Sequence, residues 1–494
     1  MASASRGAPV PRHVDVAIVG GGIVGCAIAQ RLTRFELGVA LVEREAEVGF
    51  GTSKANSGII HGGHHSPSGT LKGSLEWAGN QLWGPLAEGL GISFNRVGDL
   101  TLAFTSDEIA TLEELLGQAR ERGMSGVEMW DAERLRRNEP NVNPAALAAL
   151  HGPSTAVVNP YEACFALAED AVANGLSLLL NSPVTSIEVV DDGLKLGTPH
   201  GAVVARVLVN AAGLGADRIE HLVGLSTFTL TARKGEEYLL DKRLEGLVTR
   251  IIFPCPTPTS KGILVIPTYD GTLMVGPTAD ELDDRDDTTT SSDGAERVFR
   301  AVQRSVPGIS PGDCIAEFAG VRAASDSGDF IIGPTEVPGF LNAAGIQSPG
   351  LTAAPAIAQS IANLVAAEGV ALTPKTALVP PKRRPTPVRD AGRAAQRALA
   401  EADPTYGRVV CRCELVTEGE VVDAIDRGAT TLDGVKFRTR AGMGRCQGGF
   451  CTWRVMQLLS SKLDVPMTAV TKRGGGSWVV IDRNDQLSDQ RAGP

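Results

Sequence analysis

The stretch VDVAIVGGGIVGCAIAQRLTRFELGVALVERE, Val14 to Glu45, decides the fold. Val14, Val16, Ile18 and Val19 form a short apolar run suited to a buried parallel strand. Gly20-x-Gly22-x-x-Gly25 follows at once. The first glycine permits a tight turn. The second lets backbone N–H groups approach a pyrophosphate, and the third lets the next helix pack on the strand. The helix N-terminus adds positive partial charge for the phosphates. A second strand, VALVE, ends in Glu43, eighteen residues after Gly25. A carboxylate there bonds ribose hydroxyls and repels a 2′-phosphate, and Arg44 beside it is a further candidate contact. A lone glycine motif is weak evidence. Here strand, turn, helix, strand and acid come in the required order, so the reading is a dinucleotide site. The motif alone does not separate FAD from NAD.

A chain of 494 residues is too long for one core, and two to four domains of ~100–200 residues are expected. With 43% hydrophobic and 21% charged residues, the composition is that of a soluble globular protein. A net charge of −10 argues against nucleic-acid binding, which needs a basic surface. No apolar run reaches the ~18 residues of a direct membrane span. The leader MASASRGAPVPRH lacks an apolar signal core. A cytoplasmic protein is expected. Four of the eight cysteines, Cys26, Cys164, Cys255 and Cys314, are scattered, and in a reducing compartment they are expected to be buried thiols.

The segment GFGTSKANSGIIHGG, Gly49 to Gly63, is a loop of small and hydroxyl residues, too polar for core. Two further stretches share the pattern of strand followed by small-residue turn: VLVNAAGLGAD from Val207, and GFLNAAGIQSPGLTAAPAIAQSIANLV from Gly339. Together with the first motif, these resemble the D-amino-acid oxidase / glycerol-3-phosphate dehydrogenase superfamily of flavoproteins. The resemblance covers roughly residues 14–370. It implies FAD as cofactor. Thr52, Ser53, Asn56 and Ser57 then match the loop that wraps the FAD pyrophosphate, and His61 matches the histidine at the flavin edge. Val184 and Gly213 join the cofactor contacts by the same carry-over. Gly345, Gly350, Leu351 and Thr352 match the loop beside the flavin pyrimidine. A helix beginning near Thr352 would point its N-terminus at the flavin edge where negative charge collects on reduction.

The middle of the chain alternates. From Asn159, NPYEACFALAEDAVANG reads as a helix with Pro160 in its first turn and Gly175 as its stop. Short strands follow, VTSIEVV and LKLGT, and a β-rich region runs from about Thr227 to Thr278. The expected fold class is therefore α/β: a Rossmann-like FAD-binding domain with an inserted antiparallel β-sheet substrate domain. The FAD-binding segments are placed at about 14–80, 155–225 and 320–368, and the substrate domain at about 81–154 and 226–319.

Three groups here are candidates for a small anionic substrate. Arg322, in EFAGVRAASDSGDFIIGP, matches the arginine that binds a carboxylate or phosphate in relatives, a task suited to a planar guanidinium. The alternative is an ion pair with Asp326 or Asp329. Lys234, in TARKGEEY, belongs to a basic pair with Arg233, and a solvated charged turn is the competing reading. His61 can take a proton from a substrate hydroxyl while hydride leaves for the flavin. The alternative is a packed, hydrogen-bonded histidine. His61, His64 and His65 also invite a metal. Gly62 and Gly63 interrupt any helix, no carboxylate follows nearby, and the flavin loop already accounts for the segment, so none is expected there. There is no second GxGxxG, which weakens an NADH-linked reading.

After Val370 the composition changes. TPKTALVPPKRRPTPVRD reads as a linker, and the span 371–405 closes with a short helix, AGRAAQRALAEAD. Then come the other four cysteines, spaced Cys411-x-Cys413-x32-Cys446-x4-Cys451. Thr417 and Glu420 make a capping box for the helix EGEVVDAIDRG. Gly442, Gly444, Gly448 and Gly449 let backbone amides crowd round sulfur. The spacing leaves a structural zinc site or free thiols open, although zinc sites more often use C-x2-C pairs. Residues 406–465 are similar to the bacterioferritin-associated-ferredoxin type of domain. That implies a small helical domain with a [2Fe–2S] cluster on Cys411, Cys413, Cys446 and Cys451. The tail 466–494 carries no nameable chemistry.

FAD takes two electrons as hydride, whereas such a cluster carries one at a time. Their union implies an FAD-dependent dehydrogenase that feeds an electron-acceptor protein or a quinone-linked partner subunit, within a hetero-oligomer and at the membrane only through that partner. By resemblance, anaerobic-type glycerol-3-phosphate dehydrogenases stand first, L-2-hydroxyglutarate or another 2-hydroxy acid second, and a CH–NH substrate third. The rival class is an electron-transfer subunit with no substrate chemistry of its own.

Overall fold

The computed structural model describes residues 11–257, 262–380 and 386–481. The start of the leader and most of the tail lie outside them. The described residues fall into two compact units, a larger one of residues 11–44 and 48–380 and a smaller one of residues 45–47 and 386–481.

The larger unit is built on two large sheets, with a small three-stranded one beside them. In the first, strand His13–Val19 pairs in parallel with Val39–Val42 on one side and Gly201–Asn210 on the other. Leu176–Leu179 and Phe340–Ala344 extend the parallel set at its two sides. An antiparallel meander, Ser186–Val190 and Gly193–Thr198, pairs with the first half of Gly201–Asn210. The apolar run is buried as its sequence requires: Val16, Ala17, Ile18 and Leu41 have no exposed surface. Helices Ile23–Leu32 and Gly350–Ala367 pack together, and the latter packs also on Leu71–Leu90. Helix Pro160–Ala173 starts on Pro160 with Asn159 as its cap. The helix Gly350–Ala367 is long and apolar enough to cross a membrane by length and composition, but 67% of it is buried inside the fold. That burial accounts for its apolar character as a core helix.

The second sheet has nine strands and is largely antiparallel. Its spine is the pair Leu230–Leu240 and Cys314–Ser325, matched over almost their whole length. Strand Ile251–Pro254 is the exception, running parallel to Asp99–Ala103. Its core is a cluster including Leu100, Trp130, Tyr238 and Ile252, sealed by the amphipathic helix Ser292–Ser305.

Among the described residues the smaller unit holds a two-stranded pair, Val409–Cys411 with Val416–Thr417, and four α-helices, Arg393–Ala402, Glu418–Asp426, Leu432–Thr439 and Thr452–Leu463. The capping box forms as read: Thr417 Oγ1 accepts from the Glu420 N–H, and the Glu420 carboxylate accepts from the Thr417 N–H at 2.8 Å. The span expected as linker ends in the helix Arg393–Ala402.

Candidate functional site

The glycine turn is built for close approach. Gly20 has φ +106°, and a Cβ there would lie 2.4 Å from the Ala211 carbonyl oxygen. A Cβ on Gly25 would lie 1.9 Å from the Gly20 carbonyl, so no larger residue lets the helix sit on the turn. Gly22 opens toward Ser53, whose Oγ accepts the Ile23 N–H at 2.9 Å. Glu43 is buried at the end of its strand and accepts the Gly21 N–H at 2.5 Å. Backbone donors at a helix N-terminus beside a buried carboxylate form a donor set that fits a dinucleotide. Arg44 beside it is exposed. Gly213 has φ +57° in the turn after Gly201–Asn210, and Val184 packs half-buried between strands of the same sheet.

The loop from Gly49 meets the second sheet. Thr52 Oγ1 donates to the Val321 carbonyl at 2.6 Å. Asn56 Oδ1 accepts from Gly58 N–H, and Ser57 Oγ donates to the Glu237 carboxylate. A Cβ on Gly320 would lie 2.8 Å from that of Ala55, so the strand approaches the loop only through glycine.

His61 follows in that loop. Its N–H donates to Thr352 Oγ1 at 2.9 Å, and its carbonyl accepts from Asn80 Nδ2 at 2.8 Å. Its ring is buried, with Nε2 3.5 Å from Ser348 Oγ. Thr352 is itself fixed, since Trp83 Nε1 donates to the Leu351 and Thr352 carbonyls, both at 3.1 Å. The closing helix starts at Gly350, two residues before the expected position, and Gly345 has φ +65° in the loop before it. The fold thus brings His61 and the loop Gly345–Thr352 together, although they lie almost three hundred residues apart.

Arg322 and Arg233 are cross-strand partners in the sheet spine. Strand alternation puts Gly235, Glu237 and Gly320 on their face, the one that meets the flavin-type loop. Arg322 forms no ion pair with Asp326 or Asp329. Its Nη2 donates to the Thr278 carbonyl at 2.8 Å and the Lys234 carbonyl at 3.4 Å, and its Nε to the Arg233 carbonyl at 3.3 Å. Asp329 instead accepts the Leu71 and Lys72 N–H groups. Lys234 is on the opposite face of the strand, with its ammonium 2.9 Å from Asp287. The structure therefore does not bring Lys234 to the Arg322 side.

Sequence reading missed Glu237. It is 2% exposed, and burial pushes its carboxyl up to about 7 against the hydrogen bond from Ser57 and the charge of Arg322. The signal was available: four residues along a strand from Arg233, it shares that residue's face. Of the scattered cysteines, Cys26 and Cys164 are buried, while Cys255 and Cys314 are only half-buried.

In the smaller unit the four cysteines converge. Cys411 ends a strand, and Cys451 sits at the N-cap of Thr452–Leu463, its thiol pushed up by the hydrogen bond with Cys411 and by burial. Cys411 is hydrogen-bonded to Cys451, which holds the Cys411 thiol down, and Cys413 is bonded to Cys446. Gly442 and Glu414 donate backbone N–H groups to Cys411. Phe450, Gly448 and Gly449 do the same for Cys446. Gly448 has φ +89°, and a Cβ on Gly444 would lie 2.3 Å from that of Cys413. Four sulfurs ringed by amide donors fit an iron–sulfur cluster. Cys411 and Cys451 are buried, whereas Cys413 is exposed.

Comparison with known proteins agrees. The family model described as FAD dependent oxidoreductase matches residues 15–364, and that of the BFD-like [2Fe-2S] binding domain matches residues 409–461. A glycerol 3-phosphate dehydrogenase of Caloramator mitchellensis is 40% identical over 94% of this chain and 98% of its own length. An anaerobic glycerol-3-phosphate dehydrogenase subunit A1 of Haloferax volcanii is 27% identical over 91% of this chain and 83% of its own. The dithionite-reduced L-alpha-glycerophosphate oxidase of Mycoplasma pneumoniae with FAD bound superposes with a TM-score of 0.73 at 31% identity, over 76% of this chain and 100% of that one. The cofactors are FAD in the larger unit and a [2Fe–2S] cluster in the smaller, which settles the choices between FAD and NAD and between cluster and zinc. The chain belongs to the FAD-dependent oxidoreductase family and carries a C-terminal BFD-like [2Fe–2S] domain.

Proposed function

We propose that the chain is a dehydrogenase of sn-glycerol 3-phosphate that delivers electrons singly to an acceptor protein. The observation that carries this reading is the match, over 98% of its length, to a glycerol 3-phosphate dehydrogenase with the same extent of chain. Bound FAD supplies the two-electron acceptor, and the cluster supplies the one-electron exit. Glu43 meets the ribose, and the glycine turn with Ser53 meets the pyrophosphate. His61, held by Thr352 and Asn80, accepts the proton of the substrate hydroxyl as that carbon loses hydride and becomes a carbonyl. Arg322 anchors the phosphate. Its Nε and Nη2 are already aligned on carbonyls, so the Nη1 donors remain for the anion at little ordering cost. Lys234, paired with Asp287, serves the sheet.

The acceptor side reads from the smaller unit. Cys413, Phe450 and Trp453 are exposed, and Arg408, Arg412, Arg454 and Phe450 line one hollow together with Glu418. Such a basic, aromatic surface suits an acidic electron carrier. On this reading the chain works in the cytoplasm and reaches a membrane only through a partner.

The test is a substrate panel with a one-electron dye as acceptor, comparing sn-glycerol 3-phosphate with L-2-hydroxyglutarate. Higher kcat/KM for the phosphate supports the reading. Preference for the hydroxy acid overturns it. Unchanged turnover of the complex assembled with its partner in both His61→Ala and Arg322→Ala would overturn the catalytic assignment.

A further inference from the structure

His64 and His65 follow the flavin-edge histidine and have no part in the chemistry above. No carboxylate is near them in sequence, but the fold supplies one from Asp99, at the start of strand Asp99–Ala103. One ligand atom each from His64, His65 and Asp99 lie within 4.8 Å of one another. The His64 and Asp99 side chains are 0% and 1% exposed. Neither ring nitrogen of His64 has a hydrogen-bond partner, and Asp99 Oδ1 has none. A fully buried imidazole and carboxylate oxygen left so are costly.

We infer that His64, His65 and Asp99 form a buried site for a divalent transition-metal ion, with zinc the ion their donors suit best. His64 Nε2 and Asp99 Oδ1 are 3.3 Å apart, yet misaligned for a hydrogen bond. Donors bound at ~2.0–2.1 Å to a tetrahedral zinc ion stand roughly 3.3–3.4 Å apart, so the pair spans one edge of such an ion. Two imidazoles and one carboxylate are a known zinc donor set. The surroundings orient the donors as outer-shell groups do. Thr155 Oγ1 donates to Asp99 Oδ2, and Thr101 Oγ1 lies 2.9 Å from His65 Nε2. Both threonines are fully buried. A Cβ on Gly152 would lie 2.5 Å from His64 Cε1 and 3.0 Å from Asp99 Oδ1, so glycine is required at the wall of the site. The ion would tie the His61 loop to the second sheet. Its binding is independent of which substrate the flavin oxidises.

The test is metal analysis of the full-length, FAD- and iron-replete protein after incubation with zinc chloride and desalting. About one zinc per chain is expected beside about two irons. Zinc X-ray absorption should show a nitrogen and oxygen shell with imidazole scattering. Asp99→Asn and His64→Gln should each lose at least ~90% of the zinc while keeping flavin and iron, which report a folded chain. Wild-type protein holding under about a tenth of an equivalent would overturn the site, as would a sulfur shell at ~2.3 Å, which places zinc on cysteines. Unchanged zinc in both variants would overturn it too. Should a variant lose flavin, the wild-type stoichiometry and absorption spectrum decide alone.

Discussion

The two redox sites of this chain are assembled in opposite ways. The cluster site comes from one short segment, Cys411 to Cys451, and its donors are neighbours of the ligands themselves. The flavin-side site proposed above draws on the turn at Gly20, the loop to His61, the sheet spine at Arg233 and Arg322, and Thr352 in the first turn of the helix Gly350–Ala367. A local site can be damaged one ligand at a time and leave the other unit whole. An assembled site depends on long-range packing, so its residues act through one another.

The sharpest way to break the comparison is Cys446→Ser. It should remove the cluster and lower acceptor-linked turnover by more than ~100-fold, because the one-electron exit is gone. Anaerobic bleaching of the flavin by substrate should persist. Loss of flavin with the cluster would show that the sites are not separable. Next comes His61→Ala, which should slow flavin reduction by ~10²–10⁴-fold, the usual worth of a positioned base, in stopped-flow measurements. Arg322→Ala should act mainly on KM for the anionic substrate, raising it ~10–100-fold through loss of a charge-assisted contact.

Glu237 gives a pH-dependent test. Its folded pKa of about 7 lies above the ordinary 4.5, so the folded state holds the proton more tightly. The neutral carboxyl's contribution is fully present below about 4.5 and is lost as pH rises through about 7. Glu237→Gln, permanently neutral, should therefore gain thermal stability relative to wild type as pH rises over that window. Parallel melting curves across it would refute the assignment. The smallest effect is expected at Thr417→Ala. Loss of this cap should cost about 1 kcal/mol in the smaller unit, visible as a lower melting temperature without loss of iron.

The same contrast explains what could be read in the sequence. The glycine turn, Glu43, the helix from Pro160, the capping box and the cysteine set are local patterns, each written within a few turns of chain. Contacts between distant segments are not. Nothing near His64 announces Asp99, which arrives by sheet pairing. Lys234 and Arg322 look alike as basic candidates until the strand register sends one to Asp287 and leaves the other facing the loop. Glu237 could be placed on the face of Arg233 by strand alternation, but its raised pKa comes from burial, which only the fold shows.

The most direct test of the account is an anaerobic titration of the iron-replete protein with sn-glycerol 3-phosphate, followed in the visible spectrum. The account predicts that flavin and cluster bands bleach together, with the same substrate equivalents. No bleaching by the substrate, while dithionite still reduces both centres, would contradict it.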